Sequence, residues 1–218
     1  MIDKIFNLLL KNFGHQHWWP GETPFEISIG AILTQNTSWT NVEKAICNLK
    51  NSQNLDAKKI FAIPDSSLSE LIKPAGYYNV KTKRLKNFVS HIVCHYNANI
   101  TEMEKKETAV LRKELLNING IGPETADSIL LYALNKKSFV IDAYTKRIFE
   151  RIGIIKEELS YDEVQKTFVV NFKKDIQSYN EYHALIVALG KNICKKKPLC
   201  HNCPLKNICK LGLANKGL

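Results

Sequence analysis

The sequence predicts an all-α protein, and three observations carry that expectation. Apolar residues recur at three- and four-residue steps along nearly the whole chain, beginning with Ile5, Leu8, Leu9 and Phe13. The breaks between these stretches hold turn residues: Pro20-Gly21, Pro64-Asp65-Ser66, Pro74-Ala75-Gly76 and Gly120-Ile121-Gly122-Pro123. No run alternates apolar and polar residues as a half-buried strand would, and no fixed-period repeat or low-complexity tract is present.

The elements follow in order. After the first stretch, Phe25, Ile29, Ile32 and Leu33 form one stripe. Helical patterns then occupy residues 42–49, 57–63, 67–72, 81–96, 108–116, 125–134, 143–152, 161–171 and 179–190. This makes about ten helices with short connections. Two starts are visibly capped. Ser160 opens a Ser-x-x-Glu capping box with Glu163, and Asp142 stands before Ala143-Tyr144-Thr145, where its carboxylate can take a free first-turn N–H.

Composition narrows the function. With 218 residues, 44% hydrophobic and 24% charged, the chain is neither disordered nor fibrous and holds one large domain or two small ones. Its apolar runs at 129–134 and 184–189 fall far short of the roughly 20 residues of a spanning helix, so no membrane partner is expected. The start, Met1-Ile2-Asp3-Lys4, shows no secretory signal, and a cytoplasmic location is expected. Lys and Arg number 31 against 21 Asp and Glu, a net charge of +10. Such a surface attracts polyanions, nucleic acid foremost, although anionic lipid or plain solubility would also account for it.

Six cysteines sharpen this. Cys47 and Cys94 are isolated and expected to be buried thiols. Cys194, Cys200, Cys203 and Cys209 fall within 16 residues, a grouping that in a reducing compartment points to metal rather than disulfides. Lysines 191, 195, 196, 197, 206 and 210 share that stretch with no Asp or Glu. It reads as a phosphate-binding face or as a solvated charged tail.

The most specific internal motif is Leu116-x3-Gly120-Ile121-Gly122-x2-Thr125-Ala126, two helical patterns around a four-residue turn. Its glycines allow positive φ and close backbone approach, and outward-pointing N–H groups there can bind a phosphate oxygen without reading sequence. Ile121 can plug between the helices. A plain αα-hairpin is the alternative.

This hairpin, followed 18 residues beyond Glu124 by Asp142, resembles the helix-hairpin-helix/Gly-Pro-Asp superfamily of DNA glycosylases, typified by endonuclease III. The resemblance covers nearly the whole chain, taking in residues 25–37, the hairpin, 140–142, 183–190 and the terminal cysteines. It implies two helical domains flanking a DNA-binding cleft: a six-helix barrel at 22–136, and a cluster domain from 1–21 with 137–218. Glu124 and Asp142 would face each other across that cleft. It further implies a monomer acting on double-stranded DNA with a damaged base, associated with the bacterial-type nucleoid. Neither nucleotide cofactor nor catalytic metal is implied, and a monovalent cation can bridge hairpin carbonyls to phosphate.

In this family the residue matching Asp142 is the catalytic carboxylate. Breaking an N-glycosidic bond builds positive charge on the deoxyribose, which a nearby anion stabilises, and the same group can orient or deprotonate water. Plain helix capping is the alternative for Asp142, and the two roles are compatible. Strand-cutting members carry a lysine two residues past the second hairpin glycine, which attacks the sugar to form a Schiff base. Here that position is Glu124, a carboxylate that cannot form an imine, and neither Lys113 nor Lys146 matches it. The implied enzyme is monofunctional.

Trp18-Trp19-Pro20, residues 31–39, Gly76-Tyr77-Tyr78-Asn79 and Lys83-Arg84-Leu85 resemble the 3-methyladenine DNA glycosylase III branch. By that resemblance Trp18, Trp19, Trp39 and Glu124 shape a base pocket, where an alkylated, cationic purine would gain cation–π attraction from indole. Core packing for the tryptophans, and a favourable first-turn charge for Glu124, are the alternatives. Gln35 matches the residue that enters the duplex where the base leaves.

The spacing Cys194-x5-Cys200-x2-Cys203-x5-Cys209 resembles the [4Fe–4S] loop of endonuclease III and adenine-mismatch relatives, one residue short in its first interval. Structural zinc is the alternative. The methyladenine branch in its best-known form lacks these cysteines, so the chain combines features of two branches. The leading expectation is removal of alkylated purines. Removal of oxidised pyrimidines, uracil or mismatched bases, with or without lyase activity, is the rival, and a noncatalytic DNA-damage-binding protein is the rival from another class.

Overall fold

Side-chain caps begin several helices, and the structure, a computed structural model that describes residues 1–18 and 21–215, contains no strand among those residues. The α-helices in chain order are α1 (Ile2–Phe13), α2 (Pro24–Leu33), α3 (Trp39–Asn51), α4 (Ala57–Ala62), α5 (Asp65–Leu71) and α6 (Tyr78–Tyr96). They continue with α7 (Thr108–Leu116), α8 (Pro123–Ser128), α9 (Ala143–Ile152), α10 (Tyr161–Asn171), α11 (Ile176–Asn192) and α12 (Lys210–Ala214). Two compact units result, one of Trp19–Ser138 and the other of Met1–Trp18 with Phe139–Leu218.

In the unit Trp19–Ser138, α2 is the central element. Thr23 caps it by accepting from Glu26 N at 3.1 Å, and Pro24 supplies a preset φ at its first position. Ile29, Ile32 and Leu33 are fully buried, as are Leu85, Phe88, Val89 and Ile92 of α6. The pattern at 125–134, read from sequence as one helix, begins as α8 and widens into a π-turn at Ile129–Ala133. All five residues of that turn are buried, more than one face of an α-helix could bury, and they pack against α2.

The other unit is built on aromatic packing. Phe139 stacks on Phe168 with centroids 4.3 Å apart, Phe149 meets Phe168 edge-on, and Phe6, Phe172, Tyr179 and Tyr182 complete the cluster. Burying each such ring contributes about 1.5–3 kcal/mol. Tyr182 Oη donates to Ile2 O at 2.9 Å, fastening α1 to α11. At Gly190 of α11 an added Cβ would stand 2.3 Å from the Tyr144 ring, so glycine permits α9 and α11 to cross closely. The capping box at Ser160 forms as its sequence predicts.

Cys47 and Cys94 correct an expectation: both are exposed, not buried. On α3 the core stripe is Val42, Ala45, Ile46 and Leu49, and on α6 it includes Leu85, Phe88, Val89 and Ile92. At about 100° per residue, Cys47 and Cys94 point about 150° and 170° away from the centres of those stripes. A thiol's general preference for burial yields to its place on the helix.

Candidate functional site

The hairpin joins α7 to α8. Ile121 is 4% exposed and sits in the core as its plug, donating its N–H to Ile118 O at 3.0 Å. The two glycines differ. Gly120 has φ +96°, and a Cβ there would stand 2.3 Å from Arg84 Cγ, so the chain's own packing demands glycine. Gly122 has φ −89° and open space around it, so nothing among the described residues demands glycine there. Its missing side chain leaves the backbone open to an outside group.

Gln35 is held against this turn. Its Nε2 donates to Gly120 O at 3.1 Å and to Thr125 Oγ1 at 2.8 Å, while its Oε1 accepts from Arg84 Nη1. Gln35, Gly120 and Thr125 are thus brought together with Arg84, which sequence reasoning had not placed there. Nearby in the same unit, Lys81 is 1% exposed and donates to Leu33 O and Ala75 O, both at 2.8 Å. Desolvation, with the neighbouring Arg84 charge, pulls its pKa down to about 8. The signal for Lys81 was its position on the α6 core stripe.

Of the residues expected at a base pocket, Trp39 begins α3, is half-buried against the core and donates Nε1–H to Glu43 Oε1 at 2.9 Å. Glu124 is exposed in the first turn of α8. Trp18 is half-buried, and Trp19 lies outside the described residues.

Asp142 caps α9. Its Oδ1 accepts from Thr145 N at 2.7 Å and Thr145 Oγ1 at 2.8 Å. Its Oδ2 faces His183 Nε2 of α11 at 3.5 Å, a long contact at the outer limit of hydrogen bonding. Burial alone would push the carboxyl up. His183 and then Thr145 outweigh it, and Asp142 rests below its ordinary value, ionised at neutral pH.

Cys194, Cys200, Cys203 and Cys209 line one small cavity with Ile193, Pro198 and Leu211, and Arg151 and Lys206 stand at its wall. Burial raises the Cys203 thiol to about 11. Among the described residues, no three His, Cys, Asp or Glu side chains stand so as to hold a metal ion as they are. Four sulfurs around one apolar cavity nonetheless make a donor set suited to a thiophilic centre, whose charge would ionise the thiols. Two arginines of α9 fix this loop, a role the sequence had not disclosed. Arg147 donates to Cys194 O at 3.0 Å and Gly190 O at 3.1 Å. Arg151 reaches Cys194 Sγ at 3.3 Å, Lys195 O at 2.6 Å and Lys196 O at 3.0 Å. Their spacing, one helical turn apart, was the available signal. Lys195, Lys196 and Lys197 are exposed.

Asp127 was also missed. Fully buried, it is gripped by Arg112 through Nε at 2.9 Å and Nη2 at 3.2 Å, and by Ser138 Oγ at 2.6 Å, fastening α7 to α8. A groove of about 460 Å³ around His91, His95 and Glu114 holds none of the expected site residues.

Known proteins resemble this chain closely. A provisionally named DNA repair glycosylase of Methanocaldococcus jannaschii is 57% identical over 211 residues, covering 96% of each chain. Endonuclease III of Thermotoga maritima is 28% identical over 96% of this chain and 92% of its own. Among solved structures, the 3-methyladenine DNA glycosylase of H. pylori bound to 1,N6-ethenoadenine is 33% identical, with a TM-score of 0.74 over 87% of this chain and 96% of that one. A noncovalent endonuclease III–DNA complex superposes with a TM-score of 0.85 over 100% of this chain and 97% of that one, at 23% identity, and so shares the fold. Residues 29–174 match the profile of the HhH-GPD superfamily base excision DNA repair proteins, and with the hairpin, the capped aspartate and these relatives in place, the chain belongs to that superfamily.

Proposed function

We propose that this DNA repair glycosylase removes alkylated purines from duplex DNA by hydrolysing the N-glycosidic bond, leaving an abasic site without cutting the strand. The observation that carries the reading is Glu124 in the hairpin position where an imine-forming lysine would stand, in a chain whose Asp142 is kept ionised. The likeness to an H. pylori enzyme solved with 1,N6-ethenoadenine supports the purine substrate.

In this reading the hairpin, open at Gly122, and Lys195, Lys196 and Lys197 hold phosphates without reading sequence. Gln35 leaves its contacts with Gly120 and Thr125 and fills the gap in the stack. Trp39, Trp18 and Trp19 belong to the proposed base pocket, where indole gives a cationic purine cation–π attraction, and Glu124 accepts hydrogen bonds from the base. As the C1′–N bond breaks, its electron pair leaves on the base, neutralising an alkylated purine's charge. The Asp142 anion stabilises the sugar cation and takes a proton from the water whose oxygen bonds to C1′.

Cys194, Cys200, Cys203 and Cys209 would hold a structural [4Fe–4S] cluster, whose thiolate bonds lock the shape of the basic loop. Structural zinc is the alternative, and a monovalent cation at the hairpin belongs to the same proposal. So does action as a cytoplasmic monomer. Among the described residues no helix is long and apolar enough to cross a membrane.

A second reading, an endonuclease III-like enzyme acting on oxidised or mismatched bases, is favoured by the cysteine loop. Excision from duplexes carrying 3-methyladenine, 7-methylguanine, uracil, 8-oxoguanine or thymine glycol separates the two. Release of the methylated purines, with no covalent trapping by borohydride, is expected. Trapping sinks the monofunctional reading. Excision undiminished in Asp142→Asn sinks the catalytic assignment, and a chain that releases no base is a binding protein.

A further inference from the structure

We propose that His183 is a positioning residue for Asp142, fixing the orientation of Oδ2 through its ring Nε2; this rests on the reading of Asp142 as the catalytic carboxylate. The two carboxylate oxygens have separate duties. Oδ1 is occupied by the α9 cap, taking both the N–H and the hydroxyl of Thr145. Oδ2 is therefore the oxygen available to a sugar cation or a water, and His183 Nε2 stands 3.5 Å from it. His183 is itself 5% exposed on α11, the helix that α9 crosses closely at Gly190. An imidazole so enclosed has little freedom to turn away, and a contact of this length can tighten as a transition state forms.

The neighbouring charges are engaged elsewhere. On α9, Lys146 donates to Leu159 O, and Arg147 donates to Gly190 O and Cys194 O. On α11, Glu181 accepts from Gln16 N and pairs with His15. On α10, Tyr161 Oη accepts from Ile141 N, and Asp3 of α1 acts on Tyr182. His183 is thus the titratable group facing Asp142 among the described residues. It is also the foremost influence opposing the effect of burial on that carboxyl. A protonated Asp142 could neither stabilise a sugar cation nor accept a proton from water, so His183 acts on the reaction through Asp142.

The test compares His183→Gln with His183→Asn. Gln carries a side-chain N–H to about the place of Nε2, whereas Asn is too short to reach Oδ2. Asp142 is titrated by carbon-13 NMR in each chain. Single-turnover excision is followed from about pH 4 to 8 on the panel duplex that wild type cuts fastest. In His183→Asn, the Asp142 titration and the acid limb of the rate should both move up by about one unit, with a roughly tenfold slower rate at low pH and DNA affinity within about twofold. His183→Gln should restore the rate to within about threefold of wild type. An Asp142 titration and an acid limb unmoved in His183→Asn overturn the proposal. If Asp142→Asn excises as wild type does, the catalytic reading fails, while the carbon-13 titration still decides the contact. Should His183→Asn not fold, wild type decides: mutual response of the Asp142 and His183 resonances supports the contact, and independent titration overturns it.

Discussion

Arg84 lies across Gly120 so closely that a Cβ at residue 120 would stand 2.3 Å from its Cγ and 3.1 Å from its Cβ. The same guanidinium donates to Gln35, which in turn holds Gly120 O. One arginine therefore braces both the hairpin and the residue proposed to enter the duplex.

Gly120→Ala and Gly122→Ala should part company for this reason. The first combines a positive φ with a clash against the near end of a side chain and should cost about 2–4 kcal/mol in urea unfolding. The second meets open space and an ordinary φ, so its stability should change by less than about 1 kcal/mol. Its DNA affinity, read by fluorescence anisotropy, should nonetheless fall on the order of tenfold, because a methyl group there obstructs the phosphate. Unchanged affinity in Gly122→Ala would remove the hairpin from the DNA interface.

Lys81 should leave a mark on alkaline stability. Its folded pKa is about 8 against an ordinary 10.5. Below about pH 8 the ammonium is charged in both states and burial penalises the folded one. Between those values the unfolded chain binds the proton more tightly, so stability rises with pH. Relative to Lys81→Met, wild type should gain about 2–3 kcal/mol between pH 8 and 10.5. A flat difference across that range would show that the lysine keeps its ordinary affinity.

Asp127→Asn should destabilise by about 3–5 kcal/mol, because it leaves Arg112 against an uncharged, fully buried partner. Chemical denaturation measures the loss. A change under about 1 kcal/mol would mean that Arg112 has found another acceptor.

Replacing Lys195, Lys196 and Lys197 together with Gln should weaken binding to damaged and undamaged duplex alike. The slope of log K against log salt should decrease in magnitude by about 2–3, roughly one for each phosphate that a lysine no longer neutralises. An effect confined to damaged DNA would contradict a backbone-binding role.

Purified protein should contain iron and acid-labile sulfide, and Cys203→Ser should lose both. It should also digest faster with protease at the loop, because Arg147 and Arg151 hold only its beginning, at residues 194–196, and do not replace bonds to the four sulfurs. Stoichiometric zinc in place of iron would select the alternative.

Local rules account for what the sequence by itself determined. The helices at 81–96, 143–152 and 161–171, the caps at Asp142 and Ser160, and the hairpin with its Ile121 plug all depend on residues three or four apart, or on one turn. The glycosylase resemblance was legible because the hairpin and the aspartate keep a fixed spacing, and the cysteines keep theirs but for one residue in the first interval. Tertiary structure alone decided the rest. Gln35 meets Arg84 across 49 residues and Gly120 across 85, and Arg147 meets Cys194 across 47. Whether Lys81 is buried, Cys47 and Cys94 exposed, or His183 turned to Asp142 depends on which helix faces are covered. Helical periodicity marks a face as apolar, but the partners of its polar exceptions are chosen only when distant segments pack and each buried charge must find an acceptor or a counter-charge.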